Sequence, residues 1–225
     1  MLDRVAPDSA ICPCHGPPSC PVNDRDPNPT DYGGPVAEFE IPTARLLLRT
    51  WRDADRPQFA KMNVDSAVME FFPAPLSREE SDALVLRFVD EFAQRNYCPL
   101  AVEERESGGF IGFVGLHEVP EYLPFAPAIE VGWRLARPFW GRGYATEAAS
   151  AALAFGFDTL GTNEIVSFTS TVNLRSRRVM EHLSMSRNPA EDFEHPKVAE
   201  GHPLRPHVLY RLETEAWHRN TRSPA

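Results

Sequence analysis

Gly141-Arg142-Gly143 sits where the chain changes its period. Before it, Ala128 to Ala136 alternates as a strand; after it, Tyr144 to about Leu160 is Ala-rich and reads as a helix. Glycine at a strand-to-helix junction lets the backbone turn sharply and approach a ligand closely. The first N–H groups of a helix have no intrahelical partner, and the helix dipole favours an anion there. The arrangement predicts a pyrophosphate cradle built from Trp140, Gly141, Arg142, Gly143, Tyr144, Ala145 and Thr146. It is neither a Gly-x-Gly-x-x-Gly nor a Gly-Lys-Ser/Thr motif. No ribose-reading acidic pattern accompanies it, which argues against a dinucleotide.

A second chemical candidate lies just upstream. Glu130 interrupts the apolar run Ala128-Ile-Glu-Val-Gly-Trp133. A carboxylate in an apolar strand is costly to bury unless paired or functional. Period-two alternation puts Glu130, Gly132 and Arg134 on one face, with Ile129, Val131 and Trp133 on the other. Glu130 is therefore either a solvent-facing strand residue or a general base in a cleft. His117 and Glu118, at the end of the preceding strand, are alternative bases. Asn173-Leu-Arg-Ser176 follows another strand directly, where Asn suits a helix N-cap.

These residues need elements to hold them. Arg45 to Trp51 reads as a first strand, and Asp53 as the N-cap of a helix to about Met62 with Pro57 in its opening turns. Ser77-Arg-Glu-Glu80 has capping-box spacing and opens a helix to about Arg95. The buried side of that helix is either Leu84, Phe88 and Phe92 or Leu86, Val89 and Ala93. Leu100–Glu106 and Phe110–Val119 form a hairpin turned at Ser107-Gly-Gly109. After the glycine turn and its helix, Glu164 to Val172 is a β-branched strand, a helix runs from Asn173 to near Leu183, and His202 to Trp217 holds the last strand. This order predicts an α/β (α+β) fold: a mixed, mostly antiparallel twisted sheet flanked by helices.

Trp140-Gly-Arg-Gly-Tyr-Ala145, followed by Asn173-Leu-Arg-Ser176 and Glu181-His-Leu-Ser-Met185, resembles the GNAT (GCN5-related) N-acetyltransferase superfamily over about residues 43 to 217. The family loop is usually Gln/Arg-x-x-Gly-x-Gly/Ala, and this chain matches it at Gly143 and Ala145. Trp140 stands where Gln or Arg is commonest, as in the branch resembling ribosomal-protein N-terminal acetyltransferases. The resemblance implies acetyl-CoA as co-substrate, held at residues 140 to 146, at Leu135 and at Asn173, with no metal. It implies a primary amine as acceptor, a small molecule or a protein N-terminus, attacking directly in a ternary complex. It implies Glu130 as base and Ser176 beside the thioester sulfur, with backbone N–H groups near Gly132 to Leu135 polarising the carbonyl. Met180 occupies the place where many members carry a general-acid Tyr, and Ser184 replaces a helix-terminal Gly that often needs positive φ. These departures keep open a non-catalytic acyl-CoA-binding or regulatory domain. Phe71-Phe-Pro-Ala-Pro75 and the Pro- and His-rich stretch from Asp192 to His207 are expected to flank the acceptor site.

Composition bounds the rest. A net charge of −9 argues against nucleic acid and mildly favours a cationic acceptor. No apolar run reaches the roughly 18 residues of a membrane span, and the N-terminus lacks the apolar core of a signal peptide. A cytoplasmic monomer or homodimer is expected. Residues 1–38 contain much Pro, Asp, Asn and Gly and read as a flexible extension, 39–217 as the domain, and 218–225 as a tail. Cys12, Cys14, His15 and Cys20 lack a second ligand pair at zinc spacing, so no metal site is expected.

Overall fold

A computed structural model describes residues 38–222. The Cys12 to Cys20 cluster lies outside the described residues. In chain order the elements are β1 (Glu40–Pro42), β2 (Leu46–Arg49), α1 (Arg56–Asn63), α2 (Arg78–Arg95), β3 (Pro99–Glu104), β4 (Gly109–Glu118), β5 (Ile129–Leu135), α3 (Tyr144–Ala154), β6 (Glu164–Ser170), α4 (Leu174–His182), β7 (Ser186–Arg187), β8 (Phe193–Glu194), β9 (Pro206–Glu213) and α5 (Thr214–Arg222). The strands form one sheet in the order β1-β2-β3-β4-β5-β6-β9-β7, with β8 also on β9. All pairings are antiparallel except β5 with β6. The mixed, mostly antiparallel sheet flanked by helices is the expected one.

The first helices start as their side chains dictate. Ser77 Oγ accepts the Glu80 N–H (3.1 Å), and Glu80 Oε2 accepts the Ser77 N–H (2.6 Å). This capping box satisfies two donors that α2 would otherwise leave open. Leu84, Phe88 and Phe92 are buried while Leu86 is exposed, which selects the first of the two possible faces. Ahead of α1, Asp53 is not the N-cap residue, and Asp55, which takes that position, makes no side-chain cap bond to the helix. Residues 53–55 form a 3-10 turn, and Asp55 Oδ2 accepts the Arg52 N–H at 2.8 Å. Arg49 decides this, because its guanidinium donates to both Asp55 oxygens at 2.8 Å and draws that carboxylate inward.

The core between the sheet and α1–α2 is aromatic. Trp51 packs edge-on against Phe59 (5.0 Å between centroids), and Phe88 against Phe113 (5.5 Å). On the opposite face α3 buries Ala148, Ala149, Ala152 and Leu153. Gly112 lets β4 and β5 pack closely: a Cβ there would lie 2.2 Å from the Arg134 carbonyl oxygen.

The last strand, Pro206–Glu213, lies inside the stretch from His202 to Trp217 expected to hold it, and a helix that the sequence reading did not contain, Thr214–Arg222, follows it directly. Trp217 stacks on Phe157 (5.8 Å), so one aromatic side chain docks an otherwise polar helix. The segment is short and offers only Ala216 and Trp217 as apolar residues, too few to mark a helix by pattern.

Candidate active site

The parallel pair β5–β6 is joined at a single register, Glu130 opposite Val166. Beyond it, residues 132–135 of β5 and 167–169 of β6 line a cleft of about 530 Å³. The cleft thus opens at the carboxyl ends of two parallel strands, where the first turns of α3 and α4 also point. This is the usual place for a ligand in an open α/β sheet. The α1–α2 loop closes the other side with Phe71 and Phe72.

The glycine cradle forms one end. Gly141 and Gly143 have φ of 73° and 77°, the left-handed region that favours glycine. Gly143 takes the N-cap position of α3 and has no side chain to cap it. The first N–H of this turn bonded to a backbone carbonyl is that of Glu147, to Gly143 (3.0 Å). The N–H groups of Tyr144, Ala145 and Thr146 precede it and are left for an anion. Arg45, just before β2, braces the loop: Nη1 donates to the Arg142 carbonyl (2.9 Å) and Nε to Glu147 (2.6 Å). Glu147 also accepts from Thr43 Oγ1 (2.6 Å) and the Arg45 N–H (2.8 Å). Trp140 ties the loop to the strand end through its indole N–H and the Leu135 carbonyl (2.7 Å). These bonds hold the loop in shape and leave its bare amides free to take an anion.

Leu135, Trp140, Gly141, Gly143, Tyr144, Ala145, Thr146 and Asn173 all line the cleft. Arg142 does not: its guanidinium turns to Glu104 at 3.5 Å, leaving only its backbone for the cradle. Asn173 caps α4, with Oδ1 accepting the Ser176 N–H (3.2 Å) and Nδ2 donating to Thr169 Oγ1 (2.9 Å) and Ser176 Oγ (3.1 Å). The N-cap reading of Asn173 thus holds, and its side chain organises the wall. Ser176 Oγ accepts from Asn173, which leaves the hydroxyl hydrogen for a group in the cleft. Met180 is buried and lines the same wall. Tyr144 is the one tyrosine among the lining residues, and its hydroxyl donates to Glu104 (2.6 Å).

Glu130 lies at the other end and is fully buried, so it is not a solvent-facing strand residue. Its Oε2 is 2.9 Å from Nε2 of His117, the residue directly opposite on β4. Oε1 has no hydrogen-bond partner among the described residues. Two candidate bases considered separately in the sequence are therefore one pair, with Glu130 lining the cleft and His117 behind it. Burial raises the Glu130 pKa, and the His117 charge opposes this only in part. Burial works against a charged His117, but the Glu130 carboxylate outweighs it and raises that pKa. Glu118 is half exposed and pairs with Arg95 (2.9 Å), away from the cleft.

Other expectations are revised. The 192–207 stretch is ordered but lies behind the cleft wall: Phe193 packs on Phe168 (5.9 Å), and Phe168 lines the cleft. The acidic chain does not make an acidic cleft. Glu130 is the one acid lining it, against Arg134, Arg175 and Arg178. Ser184 adopts φ of 59°, so the position keeps the left-handed turn usual for Gly. Among the described residues no group of His, Cys, Asp or Glu is placed to hold a metal ion. Likewise, no described helix is long and apolar enough to cross a membrane.

Comparison with known proteins agrees with this geometry. The Acetyltransferase (GNAT) domain family matches residues 45–186. The chain is 28% identical over 179 residues to the uncharacterized N-acetyltransferase YnaD of Bacillus subtilis, covering 80% of this chain and 99% of that one. A GNAT-family acetyltransferase from Bacillus anthracis superposes with a TM-score of 0.65 at 23% identity, over 79% of this chain and 99% of that one. The fold is also that of ribosomal-protein-S5-alanine acetyltransferase from Vibrio fischeri, with a TM-score of 0.64 at 16% identity, over 80% and 98% of the two chains. The cleft between splayed strands, the amide cradle and the family match together show that this chain belongs to the GNAT family of acyl-CoA-dependent acetyltransferases.

Proposed function

We propose that the protein is an N-acetyltransferase that moves an acetyl group from acetyl-CoA to a primary amine by direct attack in a ternary complex. The observation that carries this reading is buried Glu130, which lines the same cleft as the amide cradle and whose Oε1 has no hydrogen-bond partner among the described residues. Residues 140–146 would hold the pyrophosphate, Leu135 and the Asn173 cap would hold the arm, and the thioester supplies the activated acyl group. A bound ammonium cannot attack until it loses a proton. Glu130 is the acceptor for that proton, directly or through one water, and His117 stabilises the carboxylate when it is ionised. The new C–N bond forms as the C–S bond breaks, and the nitrogen's second proton passes to the CoA thiolate or to water. The Ser176 hydroxyl donates a hydrogen bond to the departing sulfur. A thiol titrates near 8.5, so the thiolate leaves without full protonation.

The test is CoA release from acetyl-CoA against a panel of free amino acids, polyamines and peptide N-termini. Turnover with at least one amine, lost in Glu130→Gln, is the expected result. Met180 in place of a phenol favours a second reading, a non-catalytic acyl-CoA-binding domain. Tight acetyl-CoA binding with no CoA release from any amine would select it. The protein is further proposed to act in the cytoplasm, as a monomer or homodimer, without nucleic acid or membrane partners.

A further inference from the structure

Two arginines are buried among the described residues, Arg49 and Arg134, and their surroundings differ. Arg49 is matched by Asp55 (2.8 Å) and Glu103 (2.9 Å). Arg134, 5% exposed and on the same face of β5 as Glu130, has no carboxylate partner among the described residues. Its Nη1 donates to Asn63 Oδ1 (2.7 Å), and Asn63 is held in turn by Ser81 (3.0 Å). The rings of Phe72 and Phe113, at 4.1 and 5.4 Å from Cζ, lie against the guanidinium. What remains is the Nε edge. Nε is buried without a partner, and Nη2 enters no hydrogen bond among the described residues. The residue lines the cleft.

A buried cation without a counter-ion is strongly unfavourable, and it is tolerated where a ligand supplies the missing charge. Burial alone lowers the Arg134 pKa to about 9, which shows how little its surroundings compensate the charge. The Nε/Nη2 edge is a planar two-donor fork of the kind that grips a carboxylate with two parallel bonds. We infer that Arg134 is the recognition site for a carboxylate carried by the amine acceptor, with Glu130 receiving the proton from the other end of the same molecule. Four residues of strand separate the two Cα atoms by roughly 13 Å. That distance favours a spacer between amine and carboxylate. The apolar wall of Phe71, Phe72 and Trp133 suits an aliphatic or aromatic spacer.

The inference rests on the proposed acetyl transfer, so its test includes binding as well as turnover. The binding arm uses calorimetry with CoA present. N-acetyl-6-aminohexanoate and 4-(acetamidomethyl)benzoate are compared with their carboxamides. At least one acid should bind more than tenfold tighter than its amide in the wild type. That preference should vanish in Arg134→Met and partly return in Arg134→Lys. Arg134→Met should melt no lower than the wild type, because it removes an uncompensated buried charge. Equal binding of acids and amides by the wild type overturns the inference. So does a large loss of melting temperature in Arg134→Met with the acid preference intact. The turnover arm compares 6-aminohexanoate and 4-(aminomethyl)benzoate with their amides under acetyl-CoA, and the amides again under succinyl-CoA. Arg134-dependent preference for the acidic acceptors supports the inference. Arg134 dependence confined to succinyl-CoA places the carboxylate on the acyl group and overturns the assignment to the acceptor. If no amine turns over while the binding preference holds, the acetyl-transfer reading fails and the carboxylate site stands.

Discussion

His117 and Glu130 face each other across β4 and β5 with 2.9 Å between Nε2 and Oε2, both out of solvent. The pairing occupies one Glu130 oxygen and leaves the other without a partner among the described residues. Replacing Glu130 by Gln keeps the size and a hydrogen bond to His117 but removes the proton acceptor. The expected result is a loss of at least about tenfold in kcat at pH 7, within the usual range for a general base. Acetyl-CoA affinity should change little, and part of the rate should return at high pH as the amine deprotonates unaided. Wild-type rate and pH profile in this variant would remove Glu130 from the mechanism.

His117 sets where that base works. Burial raises the Glu130 pKa and the His117 charge holds it down, so removing His117 lets it rise further. Only ionised Glu130 accepts a proton. His117→Asn should therefore move the acidic limb of the kcat profile to higher pH, with most of the rate recovered on the alkaline side. A limb that stays in place, or moves towards acid, would contradict this coupling.

Gly143 tests the cradle. A valine there must adopt φ near 77°, costly for a β-branched residue, with its Cβ 3.5 Å from Arg45 Nη2. Displaced amides and a branched side chain where backbone must meet phosphate together amount to about 2–4 kcal/mol. Acetyl-CoA should bind well over tenfold more weakly in a chain that still folds. Titration indistinguishable from wild type would overturn the pyrophosphate assignment.

His195 and His207 make the fold acid-sensitive. Their rings lie 4.9 Å apart in a small apolar cluster, and each is almost wholly buried. Burial lowers His195 to about 4, with the His207, Lys197 and Arg205 charges adding to it. Burial likewise lowers His207 to about 4, against a hydrogen bond to the Arg205 carbonyl. Below the ordinary histidine value the unfolded chain binds protons that the folded chain refuses. Stability should fall as pH drops from about 6.5 to about 4, at up to about 1.4 kcal/mol per pH unit for each histidine. Urea unfolding across that range checks the slope, which His207→Asn should roughly halve.

Ser184 follows α4 at φ of 59°, a conformation that a side chain makes unfavourable. Ser184→Gly should stabilise the chain by about 0.5–1 kcal/mol, read as a higher urea midpoint. An unchanged or lower midpoint would show that the Ser184 side chain offsets its own strain.

Local rules determined much of this protein. The Ser77–Glu80 capping box, the glycine turn and the Asn173 cap depend on neighbours a few residues away, so their residue types suffice to place them. Other features depend on partners distant in the chain. Asp55 rather than Asp53 takes the Arg52 N–H ahead of α1, with Arg49 holding its carboxylate inward. Helix α5 forms around one tryptophan that meets Phe157 in space. Period two put Glu130 and Arg134 on one face, but the pleat cannot say what lies opposite. Only the packed sheet joins Glu130 to His117 and leaves the Arg134 fork without a carboxylate. Charge behaves in the same way: the −9 of the chain is a sum over its residues, whereas the basic lining of the cleft is set by which side chains the splayed strands turn inward.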